Sequence, residues 1–154
     1  MACEFSAPYA HSSLKNIIFS PNSHYLAYIH SGINLCIRLN QPAPSHSAET
    51  IHHIFSCIDR IDKIEFSKDS EYIFCAIYNR STVQIFSLTD FQWRCRINES
   101  IAGMVSVTWA PDSRHVLVES DFGIQLAIWS LLENTSYIIH SPKPNCVTFS
   151  DCQR

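Results

Sequence analysis

Glycine is scarce in this sequence, with only three among 154 residues. Phosphate-binding loops of the P-loop and dinucleotide kinds place several glycines close together. The Gly-x-Ser-x-Gly turn of many serine hydrolases also needs two glycines in one short segment. No such segment occurs, and the sequence therefore argues against these enzyme classes.

Charge is also scarce, since Asp, Glu, Lys and Arg make up 16% of the residues and the formal net charge is −3. Nucleic acids and anionic membranes bind strongly basic surfaces. No apolar run approaches the ~18 residues of a membrane span. Glu4 and Pro8 interrupt the segment where a signal peptide would be apolar. These absences predict a soluble intracellular protein without nucleic-acid or membrane partners.

The cysteines do not form a recognisable framework. Their number is odd and no Cys-x-x-Cys pair occurs, which argues against a zinc ribbon or a disulfide scaffold. Most lie inside apolar runs and are predicted to be small buried hydrophobic residues in a reducing compartment. The seven are Cys3, Cys36, Cys57, Cys75, Cys95, Cys146 and Cys152.

What the sequence does contain is an internal repeat. FSPNS at 19–23, FSKDS at 66–70 and WAPDS at 109–113 share an aromatic start and a final serine, and FSDC at 149–152 is a degraded fourth copy. The aromatic positions are 47, 43 and 40 residues apart. Pro followed by Asn or Asp favours a type I turn, so each copy is predicted to turn between two strands.

Apolar runs flank each copy and have the length and composition of strands. The run at 72–78 is apolar at nearly every position, which predicts an interior strand covered on both faces. The run at 82–86 alternates more, which predicts a strand nearer an edge. The predicted strands are 14–20, 25–31, 34–40, 51–57, 61–67, 72–78, 82–88, 93–98, 105–110, 115–121, 124–131 and 136–140.

Four strands every 40–47 residues are typical of a β-propeller blade of the WD-repeat kind. We therefore predict an all-β fold, a partial β-propeller of degenerate WD repeats with about three four-stranded blades and the start of a fourth. Trp129 stands at the Trp position of the Trp-Asp dipeptide, where the other copies have Phe86 and Arg38, and the Asp is missing throughout. A β-sandwich with coincidentally spaced turns is the alternative.

The predicted organisation follows from these spacings. It comprises a mobile N-terminus at 1–13, blade 1 at 14–57 with a loop insertion at 41–50, blade 2 at 58–98, blade 3 at 99–141 and a truncated start of blade 4 at 142–154. Propellers close with about four to eight blades, and at ~43 residues per blade the chain supplies about 3.6. We expect the chain to be a piece of a longer protein.

Histidine and carboxylate groups offer only weak candidate sites. His52 and His53 are adjacent on a strand, where neighbouring side chains point to opposite faces, so we expect no shared metal ion. His115 and Glu119 would lie about 13 Å apart on one strand face. The acidic set Asp59, Asp62 and Glu65 could do acid–base chemistry, but a solvated edge or inter-blade loop is the favoured interpretation.

The three tryptophans could stack on single-stranded RNA bases, but the sequence has no basic stripe to accompany them. Trp109 and Trp129 are predicted to be core residues of the blades. For Trp93, a core position and a partner-facing position stay open. We predict no catalytic residues, no cofactor and no metal, and the partner-binding residues cannot be assigned.

Three segments resemble one family of degenerate WD-repeat proteins. They are SCIDRIDKIEFSKDS at 56–70, WRCRINE at 93–99 followed by Ala102-Gly103, and WAPDSRHVL at 109–117. The family is that of WD-repeat protein eight, also called WD-repeat-containing antisense-to-tumour-protein. The resemblance extends over about 13–150, although the insertion at 41–50 looks longer than the family's.

The resemblance implies a non-catalytic protein-interaction scaffold of the cytoplasm and cytoskeleton, placed at the centrosome and spindle pole. It implies a coiled-coil adaptor as partner, indirect association with γ-tubulin complexes, and a role in microtubule minus-end anchoring and spindle assembly. It supplies no catalytic motif and no partner-binding motif. The alternative is the propeller portion of a larger enzyme, such as a propeller-gated peptidase.

Overall fold

A computed structural model describes residues 15–40, 51–99 and 103–140. It contains three four-stranded antiparallel sheets, each with its strands in chain order. The first sheet is β1 (Lys15–Phe19), β2 (Tyr25–His30), β3 (Asn34–Leu39) and β4 (Ile51–Ser56). The second is β5 (Lys63–Phe66), β6 (Tyr72–Ile77), β7 (Thr82–Ser87) and β8 (Arg94–Asn98). The third is β9 (Ser106–Trp109), β10 (His115–Glu119), β11 (Gln125–Ser130) and β12 (Thr135–His140).

The strand prediction is confirmed, because the first and last residues of every strand lie within two residues of their predicted positions. Single 3-10 turns at Tyr78–Arg80 and Asp121–Gly123 complete the regular structure of the described residues. The predicted all-β fold, a partial propeller of four-stranded blades, is therefore confirmed. The boundaries assigned to individual blades stay predictions. The predicted mobile segment at 1–13, the insertion at 41–50 and the start of a fourth blade at 142–154 lie outside the described residues.

The core consists of two apolar layers, one on each face of the second sheet. The side chains of Ile73, Cys75 and Ile77 enter the first layer, with residues of the first sheet. Phe74 and Ala76, which alternate with them on β6, enter the second layer with residues of the third sheet. A strand covered on both faces needs apolar residues at successive positions. The prediction of an interior strand at 72–78 is therefore confirmed.

The prediction of an edge-like strand at 82–86 is wrong. All six residues of β7 are buried, and the strand lies between β6 and β8. Its polar side chains have protein partners: Gln84 Oε1 accepts from the Ile58 N–H at 2.8 Å, and Thr82 Oγ1 donates to the Arg80 carbonyl at 2.9 Å. The alternation of polar and apolar residues here reflects internal hydrogen bonding instead of contact with solvent.

The first strands of the three sheets lie next to one another, β1 beside β5 and β5 beside β9. Asn16 Nδ2 donates to the Asp62 carbonyl at 3.0 Å, and Lys63 Nζ donates to the Val107 carbonyl at 2.6 Å. β4, β8 and β12 are the last strands of their sheets, and nearly all of β12 is exposed. The sheets thus adjoin through their first strands, as successive propeller blades do.

The repeated turn forms in all three copies, as predicted. The serine N–H of each turn donates to the carbonyl three residues earlier, and Ser23, Ser70 and Ser113 all have φ near +60°. The structure adds a link between successive turns. The Asn22 N–H donates to Ser70 Oγ at 3.0 Å, and the Asp69 N–H donates to Ser113 Oγ at 3.1 Å. Ser70 and Ser113 therefore each join their own sheet to the preceding one.

Candidate functional site

Among the exposed large hydrophobic residues that lie in the described loops, five of six are at one end of the strands. In each meander, the loop between the second and third strands and the connection to the next sheet lie at the same end. Five side chains in these loops are between 43% and 90% exposed. We call this set the loop surface, and its members are Ile33, Ile58, Val105, Phe122 and Ile124.

Phe122 is the most unusual member of the loop surface. Its side chain is 90% exposed, and its backbone has φ 56° and ψ 16° in the turn between β10 and β11. A left-handed backbone conformation is uncommon for a bulky side chain, and residues in such conformations cluster at binding and active sites. Asp121 Oδ1 accepts the Phe122 N–H at 2.9 Å and helps to hold this turn. The sequence identified Phe122-Gly123 only as a turn.

Backbone contacts hold neighbouring loops of this surface together. The Val105 N–H donates to the Glu119 carbonyl at 2.9 Å. Gly103 has φ +68°, and a Cβ atom there would lie 3.4 Å from the Asp121 Cβ. The connection into β9 and the Phe122 turn are therefore in close contact. The Cys57 N–H donates to the Ile33 carbonyl at 2.9 Å. This hydrogen bond holds the connection that contains Ile58 against the loop that contains Ile33.

An ion pair lies on the loops between these apolar groups. Arg80 Nε is 2.7 Å from Asp59 Oδ2. The Arg60 N–H and the Arg80 guanidinium both donate to the Asp59 carboxylate, and these hydrogen bonds lower its pKa. This partly exposed ion pair gives the surface polar contacts as well as apolar area, a combination common in protein interfaces.

The acidic set does not converge on one point. Asp59 pairs with Arg80, Asp62 Oδ2 accepts the Tyr78 N–H at 2.8 Å, and Glu65 lies 2.8 Å from Lys63 Nζ. Each carboxylate has a different partner, so the structure does not bring two of them together around a substrate position.

The assumption that His52 and His53 point to opposite faces is wrong. The pairing of β3 with β4 shifts register between Ile37 and Arg38, which makes His52 the extra residue of a bulge. Both imidazoles contact the Phe91 ring, His52 edge-on at 5.1 Å and His53 stacked at 4.2 Å. Burial, together with the charges of His52 and Arg94, lowers the pKa of His53.

His115 and Glu119 lie at opposite ends of β10. The imidazole of His115 pairs with Asp112, whereas Glu119 is exposed. Among the described residues, no group of three or more His, Cys, Asp or Glu side chains is placed to hold a metal ion. In the same part of the chain, no helix is long and apolar enough to cross a membrane.

The tryptophans divide between core and half-buried positions. Trp109 is 7% exposed and its Nε1 donates to the Glu65 carbonyl at 3.1 Å. Trp129 is half-buried against the second core layer, and its Nε1 donates to Glu99 Oε1 at 2.8 Å. Trp93 is also half-buried and meets Tyr72 edge-on at 5.2 Å. The core prediction is confirmed for Trp109, and both other rings pack against the same layer.

Of the cysteines within the described residues, three are buried and Cys95 is half-buried, all as free thiols. Burial is the largest cause that raises the pKa of the Cys75 thiol, and the neighbouring Cys57 adds to it. Cys36, Cys57 and Cys75 therefore behave as the buried hydrophobic residues that the sequence predicted. Cys3, Cys146 and Cys152 lie outside the described residues.

Comparison with solved structures identifies the class to which these sheets belong. The structure of U3-55K superimposes with a TM-score of 0.66 over 86% of this chain and 41% of that chain, at 9% sequence identity. The WD40 repeats of RRP9 give a TM-score of 0.65 over 86% of this chain and 40% of that chain, also at 9% identity. The fold is that of WD40 propeller blades.

Sequence comparison leads to the same class. No model of a known protein family matches the chain. Over 125 residues, or 81% of its length, the chain is 36% identical to the mouse WD repeat-containing protein WRAP73. The chain belongs to the WD repeat-containing proteins. It spans 26% of the length of that mouse relative.

Proposed function

We propose that this chain is a non-catalytic protein-interaction scaffold and that the loop surface is where it binds its partner. The observation that carries the proposal is the exposure of Phe122, an aromatic ring held outward by a strained turn. Aromatic residues contribute a large share of the binding energy in protein interfaces. Rigid sheets that present loops to a partner need no chemistry of their own.

The finer proposal concerns the partner and its place in the cell. We propose that the chain acts at the centrosome and spindle pole, where it binds a coiled-coil adaptor and supports microtubule minus-end anchoring and spindle assembly. The support for this is the family resemblance of the segments at 56–70, 93–99 and 109–117. The mouse relative, to which most of the chain is similar, is a WD repeat-containing protein, and this similarity supports the WD-repeat part of the resemblance.

The test compares two exposed hydrophobic residues at opposite ends of the same sheet. Phe122 lies between β10 and β11, and Leu132, 73% exposed, lies between β11 and β12. Affinity capture from dividing cells with the unaltered chain should recover the coiled-coil adaptor and γ-tubulin ring components. Phe122→Asp should lose them, whereas Leu132→Asp should retain them.

Two results would contradict the proposal. Recovery of ribosomes or chromatin in place of the adaptor would contradict the partner and the location. Equal recovery of the adaptor by both variants would contradict the assignment of the loop surface, even if the adaptor is the partner.

A further inference from the structure

Two thiols meet in the core layer between the first and second sheets. Cys57 directly follows β4, Cys75 lies in β6, and both side chains belong to the same apolar layer. A hydrogen bond joins the two thiols, although the residues are 18 positions apart in the chain. The other two cysteines of the described residues lie elsewhere, since Cys95 packs against the second layer and Cys36 contacts Tyr28.

Backbone contacts hold the two cysteines in this position. Cys75 is paired with Gln84 across β6 and β7, so the two side chains lie on the same face of the second sheet. Gln84 Oε1 accepts the N–H of Ile58, the residue after Cys57, at 2.8 Å. The Cys57 N–H itself donates to the Ile33 carbonyl at 2.9 Å. The main chain at Cys57 is therefore fixed to both sheets, beside the face that carries Cys75.

The residue that follows the fourth strand reaches the next sheet at both internal junctions. Glu99 follows β8, and its N–H donates to the Ser81 carbonyl at 2.8 Å, which matches the backbone contact of Cys57. The side chain of Glu99 then joins the third sheet by accepting from Trp129 Nε1 at 2.8 Å. At the first junction, the contact of Cys57 with Cys75 is the corresponding link, and two thiols in contact have the chemistry to become a covalent one.

We propose that Cys57 and Cys75 form a modification site, at which a peroxide oxidises the two thiols to a disulfide that joins the first sheet to the second. Cys57 reacts first, because it is 8% exposed whereas Cys75 is completely buried. Burial and the hydrogen bond with Cys57 raise the pKa of the Cys75 thiol. Cys75 therefore stays protonated and unreactive towards the oxidant itself.

The reaction takes place in two steps. The Cys57 thiolate attacks one oxygen of hydrogen peroxide, the O–O bond breaks, and Cys57 becomes a sulfenic acid. The hydroxide that leaves takes up the proton that Cys57 released and becomes water. The Cys75 sulfur then attacks the Cys57 sulfur, the S–O bond breaks, and the oxygen leaves with the Cys75 proton as a second water. The two thiols lose the two electrons that the peroxide gains, and a dithiol reductant reverses the reaction by thiol–disulfide exchange.

The experiment is a digest without reductant, made after the folded chain has been treated with hydrogen peroxide and its remaining thiols have been blocked. Trypsin places Cys57 in the peptide 39–60 and Cys75 in the peptide 69–80, each without a second cysteine. Mass spectrometry should find these two peptides joined as the most abundant cross-linked pair. Treatment with a dithiol reductant before blocking should leave them separate.

Two variants identify the thiols and their order of reaction. Cys57→Ser and Cys75→Val should each abolish the joined peptides. Valine suits the second position, because Val118 lies nine residues after its repeated aromatic, as Cys75 does. In Cys75→Val, the sulfenic acid at Cys57 should persist and react with dimedone. Cys36→Ala is the matched control, since Cys36 is also buried, and it should form the joined peptides as the unaltered chain does.

A second measurement reports the effect of the bond on the fold. Peroxide should raise the midpoint of denaturant unfolding of the unaltered chain and of Cys36→Ala, because a cross-link restricts the unfolded chain. It should raise neither midpoint in Cys57→Ser and Cys75→Val. Circular dichroism of each variant before treatment establishes that it is folded.

Three results would overturn the proposal. The first is that Cys57 and Cys75 remain thiols at every peroxide concentration at which the chain stays folded. The second is that Cys57 proceeds to the sulfinic acid without joining Cys75. The third is that either residue becomes linked chiefly to another cysteine.

Discussion

The second and third sheets share their strand order and their turns but differ in how much of their surface is covered. All six residues of β7 are buried, whereas only three of the six residues of β11, the matching third strand of the third sheet, are buried. Both strands belong to sheets built from the same repeated pattern. The difference arises because the second sheet has a neighbour on each face, whereas the third has a described neighbour on one face only. Whether a sheet is covered on one face or on both therefore decides how strongly its residues contribute to the stability of the fold.

The largest expected effect comes from a large side chain enclosed by two sheets. Phe74 is fully buried in the second core layer. Phe74→Ala should lower the free energy of unfolding by about 3–5 kcal/mol, since it removes a large buried aromatic ring. Phe19→Ala is the matched control, because Phe19 is 62% exposed on the face of the first sheet that has no described neighbour. Denaturant unfolding should show little loss for it. Equal losses would contradict the comparison.

A smaller effect is expected at the buried Glu99. Its carboxylate accepts from Trp129 Nε1 at 2.8 Å and from Gln125 Nε2 at 3.1 Å, and so joins the end of the second sheet to the third. Glu99→Gln should cost about 1–3 kcal/mol, because it weakens two buried hydrogen bonds to a charged group. Trp129→Phe removes one donor and keeps an aromatic ring. If the hydrogen bond between Trp129 and Glu99 stabilises the fold, the two changes are coupled. The double variant should then lose clearly less free energy of unfolding than the sum of the losses in the two single variants, as measured by denaturant unfolding.

The hydrogen bonds between turns should contribute about 0.5–1.5 kcal/mol each. Ser113→Ala removes the acceptor of the Asp69 N–H. Ser23→Ala is the matched control, because Ser23 adopts the same backbone conformation with φ +61° and its Oγ has no partner within the described ranges. Thermal unfolding should show the loss for Ser113→Ala alone. A comparable loss for Ser23 would mean that the alanine side chain itself is unfavourable in this turn.

The smallest effect is expected at the partly exposed ion pair between the second and third sheets. Arg114 binds Asp69 and Glu71 and lies 5.2 Å from the centre of the Tyr72 ring. Because such pairs are partly screened by solvent, Arg114→Gln should cost at most about 1 kcal/mol. The loss should shrink further in high salt. A cost well above that range in denaturant unfolding would indicate that Arg114 also holds the turn itself.

The same ion pair predicts a pH dependence. Burial acts to raise the pKa of Asp69, but hydrogen bonds from Ser67, the Glu71 N–H and Arg114 outweigh it and lower the pKa. A lowered pKa stabilises the folded chain above the unfolded value of about 3.9, and this contribution disappears as the pH falls through the folded value. Asp69→Asn should therefore flatten the loss of stability on acidification, as measured by thermal melts between neutral and acidic pH.

The strands could be predicted well because each depends on a short local pattern. The run at 72–78 is apolar at successive positions, and the repeated turn has a proline or polar residue where the chain reverses. Both signals lie within a few residues of the structure they specify. The misjudged strand β7 shows the limit, since whether Thr82 and Gln84 face solvent depends on partners such as Ile58, 26 residues from Gln84.

The loop surface could not be predicted, because it joins residues from four separate connections. Ile33 and Phe122 are ordinary apolar residues in the sequence, and only the fold places both at the same end of the strands. The one local signal was an aromatic residue directly before Gly123, inside a turn. The bulge at His52 could not be predicted either, because it arises from the pairing of β4 with β3. No residue type in β4 indicates it.

The bond between successive turns also limits how repeats of this kind can change in length. The connection between the first and second strands has five residues in all three sheets, whereas the connection between the third and fourth strands has 11, 6 and 4. Inserting one residue into the five-residue turn would move its serine away from the preceding sheet. Inserting residues beyond the third strand disturbs no such contact. The connection between the third and fourth strands can therefore change in length without breaking the bond between turns. Its variation is one reason why the repeated aromatics are spaced 47, 43 and 40 residues apart.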